Sequence, residues 1–583
     1  MKPVKKVHPC GSEARILLSS VFGPYAQDDE FGSRKNNPME LYQNQVTRVQ
    51  GAFSLRMFHR SFGLMFIQSN IKAPCTLLDF PSLDRFIDEC RDQDYDIVGI
   101  SSIVPNVGKV KKMCEIIRQY LPGATIVVGG HIANKAGLEE EINADHIVRG
   151  EGIRWFREFL GQNPDEPVIH PFVESAHYGR IVGQDLPDKP GDTAAVLIPS
   201  VGCPVGCNFC STSALFGGKG NFVNFYETGD ELFHVMCSIE EKLQVRSFFV
   251  LDENFLLHRK RALRLLELMK ENNKSWMLNI FSSARVLKSY SIEEIVGLGI
   301  GWVWMGIEGE SSQYRKLKDI DTLGLVRTLQ ENGIRVLGST IIGLENHTPE
   351  NIEQTIDYAV SHNTDFHQFM LYTPNPGTPL YEKHKQDGTL YDEATFPVAD
   401  AHGQYRFNFR HQSIHDGKEE HYLLNAFQKD FIVNGPSLLR LIQTLLNGWK
   451  RYKNHPDRRI RDRFAWEVNP LRSTYAGAVW AMKRYFRKEM STEKKLGSLL
   501  KDIYREFGWK TKILAPIIGM YVYFSIKREE RQLSRGKLYE PDLFYEKNGA
   551  ALAVERAGQK IKVNPDVRSG RLTVAHASGR SLS

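Results

Sequence analysis

Cys203, Cys207 and Cys210 are the residues of this chain best placed to do chemistry. They lie in Ser200-Val-Gly-Cys-Pro-Val-Gly-Cys-Asn-Phe-Cys, a C-x-x-x-C-x-x-C run with the aromatic Phe209 before its last cysteine. Three thiolates on one glycine-bearing loop can reach three corners of a small iron–sulfur cluster. The fourth iron is then open, and an open metal position separates a catalytic site from a closed structural one. Two other readings stand beside this one. A structural zinc knuckle needs a fourth ligand, and the next candidates are His234 and Cys237. Unconnected buried thiols suit the scattered Cys10, Cys75, Cys90, Cys114 and Cys237, but not three cysteines within eight positions.

The surrounding sequence gives these residues a scaffold. The 583 residues allow about two to four domains, and 42% hydrophobic with 25% charged residues is a globular composition. Short apolar strands alternate with helices from Ala14 onward. Strands are predicted at 14–21, 76–80, 96–101, 124–128 and near 146–149, with a helix over 107–120. This order implies a parallel sheet with crossovers, whose ligands bind at the strand carboxyl ends. Neither G-x-G-x-x-G nor G-x-x-x-x-G-K-[ST] occurs, so a dinucleotide or ATP site is unsupported. A second series of strands, 194–199, 247–251, 278–283, 301–307, 335–342 and 368–372, predicts a six-stranded partial barrel of the (β/α)6 TIM type. Polar residues fall at its carboxyl ends, where such barrels carry their active groups.

The cysteine spacing, Phe209 and the preceding strand AAVLIP resemble the radical S-adenosylmethionine (SAM) superfamily. That resemblance implies a 4Fe-4S cluster on Cys203, Cys207 and Cys210, with SAM chelating the open iron. One electron then cleaves the sulfonium to a 5′-deoxyadenosyl radical. By the same resemblance SAM is contacted by Phe209, Asp252, Glu253, Asn254, Ser283, Arg285, Glu308 (in a Gly-Ile-Glu-Gly context) and Gly343. The text DIVGISS…PGATIVVGGH…ADHIVRGEG resembles the cobalamin-binding domain that precedes the cluster domain in one large subclass. It implies corrin and nucleotide contacts from Ser101, Ser102, Gly129, Gly130, His131, Gly150, Glu151 and Gly152. The D-x-H-x-x-G signature, which supplies a lower cobalt ligand in mutases, is absent.

Charge is unevenly divided. Residues 436–583 carry 31 Lys+Arg and 14 Asp+Glu, a net of +17, and the rest carries a net of −11. A basic module suggests an anionic partner surface or a solvated helical face. Within it Ile513–Ile526 is apolar for 14 residues, short of the roughly 20 needed to span a bilayer. It suits a membrane-interface helix or a cap on the barrel. The stretch 549–583 has little periodicity and is expected to be mobile. The start, MKPVKKVHPCGSEAR, has no apolar core, so no secretory leader is expected.

The expected architecture is therefore α/β throughout the first two units. It comprises a Rossmann-like cobalamin-binding domain with linker (1–190), a radical SAM core (191–400) and a basic α-helical region (401–583). The expected activity is cobalamin-dependent methylation of an unactivated carbon of a lipid or other hydrophobic substrate. Carbon–carbon coupling, cyclisation or oxidation of a lipid or tetrapyrrole without methyl transfer is the alternative chemistry. A cobalamin or redox sensor is the non-enzymatic one. Expected partners are an electron donor such as flavodoxin or ferredoxin and, at the inner face, the membrane, with the protein otherwise cytoplasmic. The tail has no helix-turn-helix or zinc-finger pattern, so no nucleic acid partner is expected.

Overall fold

The computed structural model describes residues 6–23, 30–32, 40–176, 178–186, 193–308, 317, 320–537 and 539. It also describes the strand backbones at 543–547, 550–556 and 559–562. The first sheet contains β1 (Ile16–Ser20), β2 (Cys75–Asp79), β3 (Ile97–Ser101), β4 (Thr125–Gly129) and β5 (His146–Ile147). They run parallel in the order β2-β1-β3-β4-β5. Every β1 and β2 residue is buried, as continuous apolar strands covered on both faces should be. The strand order reverses between β1 and β3, which places a crevice at their carboxyl ends.

The second sheet is β6 (Ala194–Leu197), β7 (Ser247–Val250), β8 (Met277–Phe281), β9 (Ile300–Gly306), β10 (Arg335–Ile342) and β11 (Phe366–Leu371). All five pairings are parallel and sequential, giving the expected partial barrel. Alternation decides which side chain goes where. Phe248, Leu278, Ile280, Val303 and Val336 point outward into the core beneath the helices. Phe249, Asn279, Phe281, Trp302 and Trp304 take the inner face. The lower lumen is filled by residues 42–58. Tyr42, Val46 and Leu55 pack on Leu337, Phe366, Trp302 and Trp304. This plug is part of the β1–β2 crossover, which detours through the barrel before returning to its own sheet.

The region after residue 400 is helical as expected, through Met490–Leu533, but the chain does not end there. β12 (Leu543–Lys547) pairs antiparallel with β2, and β13 (Ala550–Arg556) and β14 (Gln559–Lys562) extend the same sheet. The helical third region is as expected, and the strands at 550–556 and 559–562 correct the expectation of a mobile end from 549. The strands LFYEK and AALAVER lack strict apolar–polar alternation, and the open edge of β2 supplies their pairing. Residues 563–583 lie outside the described residues. The barrel floor is tied to the helical region by a buried ionic triad. Arg335 and Arg463 both donate to Glu467, at 2.6 and 2.8 Å.

Candidate functional site

The cysteine loop leaves β6 at a two-residue antiparallel bridge, Ser200–Val201 with Val223–Asn224. Its glycines are required. Gly206 has φ +67, and a Cβ there would lie 2.5 Å from Lys219 Cβ. Gly202, φ +86, lies under the ring of Phe216. Cys210 caps the short helix Ser211–Leu215, its Sγ accepting from Ser213 N–H at 3.4 Å. Burial pushes the Cys203 thiol up to about 11 and raises Cys210. The neighbouring thiols add to this, Cys210 and Cys207 raising Cys203, and Cys207 raising Cys210. Among the described residues no three ligand-type side chains close on a single metal ion. A cluster makes a different demand, since each thiolate takes a separate iron.

Phe209 does not point at the loop's own strand. It packs on the cluster around Ile342, Tyr372 and Phe407, and Leu380 N–H donates to the carbonyl of Asn208 at 3.0 Å. The aromatic therefore fastens the loop across the barrel to β10 and β11.

The three residues after β7 have separate tasks. Asp252 is buried and fully engaged. It takes Arg261 Nη2 at 2.6 Å, Ser200 Oγ at 2.5 Å and the Asn254 N–H at 3.0 Å. Asn254 ties the next strand end, its Oδ1 accepting from Ser282 Oγ at 3.1 Å and Ser283 N–H at 3.2 Å. Glu253 alone has a buried oxygen, Oε2, without a hydrogen-bond partner among the described residues. Burial lifts its carboxyl to about 7, although it accepts the Gly202 N–H from the cysteine loop. Arg285 is exposed on the first turn of the helix Ala284–Leu287. Glu308 sits buried at φ +52 past the end of β9, its N–H held by the Ser339 carbonyl at 3.2 Å. Gly309 and Glu310 lie outside the described residues. Gly343, φ +80, admits no side chain, because a Cβ would lie 2.2 Å from Phe407. Its N–H donates to His347 Nδ1 at 3.0 Å, a contact the sequence does not advertise. All these groups stand at strand carboxyl ends.

The crevice of the first sheet faces the same way. Ser102 N–H bonds the Gly129 carbonyl at 3.1 Å, interlocking the ends of β3 and β4. A Cβ on Gly130, φ +83, would sit 2.6 Å from the Ser102 carbonyl oxygen. Glu151 caps the helix Gly152–Phe159, accepting from Ile153 N–H and, at 2.9 Å, from Arg154 N–H. Burial raises its carboxyl against those bonds. Its carboxylate is thus occupied, leaving Gly150 and Gly152 as the open part of that turn. A cavity of about 180 Å³ is lined by Gly99, Ser101, Gly129, Gly130 and Gly150–Ile153 on one side. Ile198, Val201, Phe216 and Phe225 of the barrel form the other. Phe216 covers both the cavity and Gly202, so the glycine cradle and the cysteine loop share one wall. His131 does not line this cavity. Its ring is half-buried against the exit of the cysteine loop, with Nε2 3.2 Å from Thr212 Oγ1. Beside it Asn134 Nδ2 donates to the Ser211 carbonyl at 3.0 Å.

Residues 55–160 match the B12 binding domain family, and residues 197–359 match the radical SAM superfamily. The chain thus carries a B12-binding domain followed by a radical SAM domain. Curated relatives agree. An uncharacterized methyltransferase of Pyrococcus horikoshii is 26% identical over 50% of this chain and 69% of its own. Bacteriochlorophyllide d C-12(1)-methyltransferase of Chlorobaculum tepidum is 23% identical over 67% of this chain and 86% of its own. Hopanoid C-2 methylase of Rhodopseudomonas palustris is 28% identical over 33% of this chain and 38% of its own. The methyltransferases among these relatives support methyl transfer as the reaction. Both cofactor types fit what the chain offers: a glycine cradle that side chains would fill, and three thiols on a loop held open at one end.

Proposed function

We propose that the enzyme methylates an unactivated carbon of an apolar, ring-containing small molecule, a lipid or a tetrapyrrole. The observation that carries this is the wall shared by the glycine cradle and the cysteine loop, which brings two cofactor sites to one crevice. When bound, the cluster with SAM supplies a primary carbon radical, and cobalamin supplies the methyl group. In this reading Cys203, Cys207 and Cys210 hold the cluster, and Glu253 receives the SAM ammonium with its unpartnered oxygen. Ser283, Arg285, Glu308 and Gly343 surround the rest of SAM, and Phe209 fixes the loop. Asp252 and Asn254 act through their neighbours by holding β6, β7 and β8 in register. Ser101, Ser102, Gly129, Gly130, Gly150 and Gly152 cradle cobalamin, and Glu151 fixes the turn beneath it.

The barrel's inner face supports an apolar substrate. His59, Phe249, Phe281 and Trp304 form a continuous aromatic run with ring centroids 5.8, 5.9 and 5.1 Å apart. Such surfaces exclude water and suit flat or polycyclic partners. A one-electron donor of the flavodoxin or ferredoxin type completes the system. The test is anaerobic reconstitution with SAM, a strong reductant and hopanoid or chlorophyllide acceptors. The expected result is release of 5′-deoxyadenosine with a product heavier by one methylene. 5′-Deoxyadenosine with no added methylene points to coupling or ring formation, and no 5′-deoxyadenosine at all overturns the reading.

A further inference from the structure

The helical segment Met490–Leu533 breaks at Gly508, whose φ +80 and ψ −165 are non-helical, so a second helix runs from Trp509. One side of that helix is fixed to the protein. Ala515, Val522 and Ile526 enter the core of the helical region. Gly519 lies so close to the helix Thr474–Tyr485 that a Cβ would meet Trp480 at 2.5 Å and the Gly477 carbonyl at 2.9 Å. The opposite side is apolar and open. Trp509, Ile513, Ile517, Tyr521 and Phe524 are 68, 55, 65, 63 and 63% exposed, and Leu514 and Met520 lie between them. At about 100° per residue these seven fall within one sector, in a stripe roughly 22 Å long. A stripe of this size is unusual for a face turned to water.

Charge says what covers it. No Asp or Glu occurs from Phe507 to Arg528. Lys510 at one end and Arg528 and Arg531 at the other are exposed and fall in the same sector as the stripe. The nearby carboxylates are turned to other partners: Glu506 to Lys453, Glu529 to Arg180, Glu530 to Lys527. Aromatic side chains mark both ends of the apolar run. An apolar band bracketed by cations and aromatics matches the layered chemistry of an anionic bilayer surface. No helix among the described residues is long and apolar enough to cross a membrane, so the helix lies in the interface.

We propose that the Trp509–Leu533 helix docks this enzyme on anionic lipid membranes, its exposed face in the acyl boundary and its terminal cations at the headgroups. The helix also contacts the barrel plug. Its Ser525 Oγ accepts from Gln184 Nε2 at 2.6 Å, and the Tyr178–Ile181 strand beside Gln184 pairs with Arg56–Phe58. The docking helix is thus fastened at the plugged end of the barrel, where the helical region is attached. The surface is independent of the methyl-transfer chemistry, and its test reads lipid binding alone.

The test is co-sedimentation of the full-length, cluster-loaded protein with two kinds of vesicle. One is phosphatidylcholine, and the other contains about a third phosphatidylglycerol. The wild type is expected to bind the anionic vesicles and to weaken as salt rises from about 0.1 to 0.5 M. I517E/F524E, both at exposed positions, should lower affinity about a hundredfold with circular dichroism and iron content unchanged. K510Q/R528Q/R531Q should lower it about fivefold per charge and flatten the salt dependence. No binding by the wild type to anionic vesicles overturns the proposal, as does equal binding by I517E/F524E. If I517E/F524E instead turns a dimer into a monomer without changing vesicle binding, a second copy covers the face and the lipid assignment is wrong.

Discussion

Asp252 and Glu253 are adjacent carboxylates whose replacement by their amides should have opposite effects. Asp252→Asn removes the charge paired with Arg261, and the two side chains are only 4% and 1% exposed. Leaving one member of a buried pair uncompensated costs about 3–5 kcal/mol. For a folding unit the size of the barrel each kcal/mol is worth about 2–4 °C, so the melting temperature should fall by about 10 °C. Glu253→Gln deletes a carboxylate whose Oε2 has no partner among the described residues. Stability should then change by no more than about 1 kcal/mol, while SAM affinity and 5′-deoxyadenosine release fall at least about tenfold. The assay is anaerobic thermal denaturation of cluster-loaded protein, paired with equilibrium dialysis against SAM. A D252N protein that melts like the wild type and loses SAM, or an E253Q protein that melts low and keeps it, would refute the assignment.

The other expectations are narrower. Replacing any one of Cys203, Cys207 or Cys210 with Ala should remove iron, sulfide and the radical step while cobalamin still co-purifies. Gly130→Ala forces a side chain into a left-handed backbone 2.6 Å from the Ser102 carbonyl, a strain of about 1–2 kcal/mol. Cobalamin retention should drop about tenfold with iron content unchanged. His131→Gln should leave the electron paramagnetic resonance spectrum of bound cob(II)alamin unaltered, because that ring is directed at Thr212. A lost nitrogen splitting would show that His131 reaches cobalt. Glu467→Gln strands Arg335 and Arg463 and should destabilise the enzyme by about 3–5 kcal/mol, read as a lower urea midpoint.

The sequence was legible wherever short-range pattern determined structure. The alternation of apolar strands and helices revealed both sheets, and the glycines at strand ends marked the cradle. The cysteine spacing located the loop because three thiols within eight positions must fall on one short turn. What stayed hidden depends on distant partners. Nothing near Asp252 announces that Arg261 and Ser200 will occupy it, so the three residues after β7 read alike. His131 followed a glycine pair like a cofactor contact, yet its partner is Thr212 of the other half. The run Ile513–Ile526 suited a cap and an interface helix equally, and its packing against Gly477 shows it is buried on one side only. The last hairpin had a signal in Asn548-Gly549 between LFYEK and AALAVER, but its pairing with β2 depends on a distant edge that nothing nearby announces.

The plug within the barrel bears on how the molecule comes into being. Tyr42, Val46 and Leu55 are made early, and the surfaces that bury them, Trp302, Trp304 and Phe366, are made much later. Burying side chains of this kind is worth about 1.5–3 kcal/mol each. A fragment ending near residue 190 would present all three to water. The two halves are therefore coupled through the plug, although they resemble two domains joined by a linker. A swinging motion that separated them would first have to extract the plug. Substrate exchange should accordingly proceed by local opening at the strand carboxyl ends, with the spacing between the two cofactor sites held nearly constant through turnover.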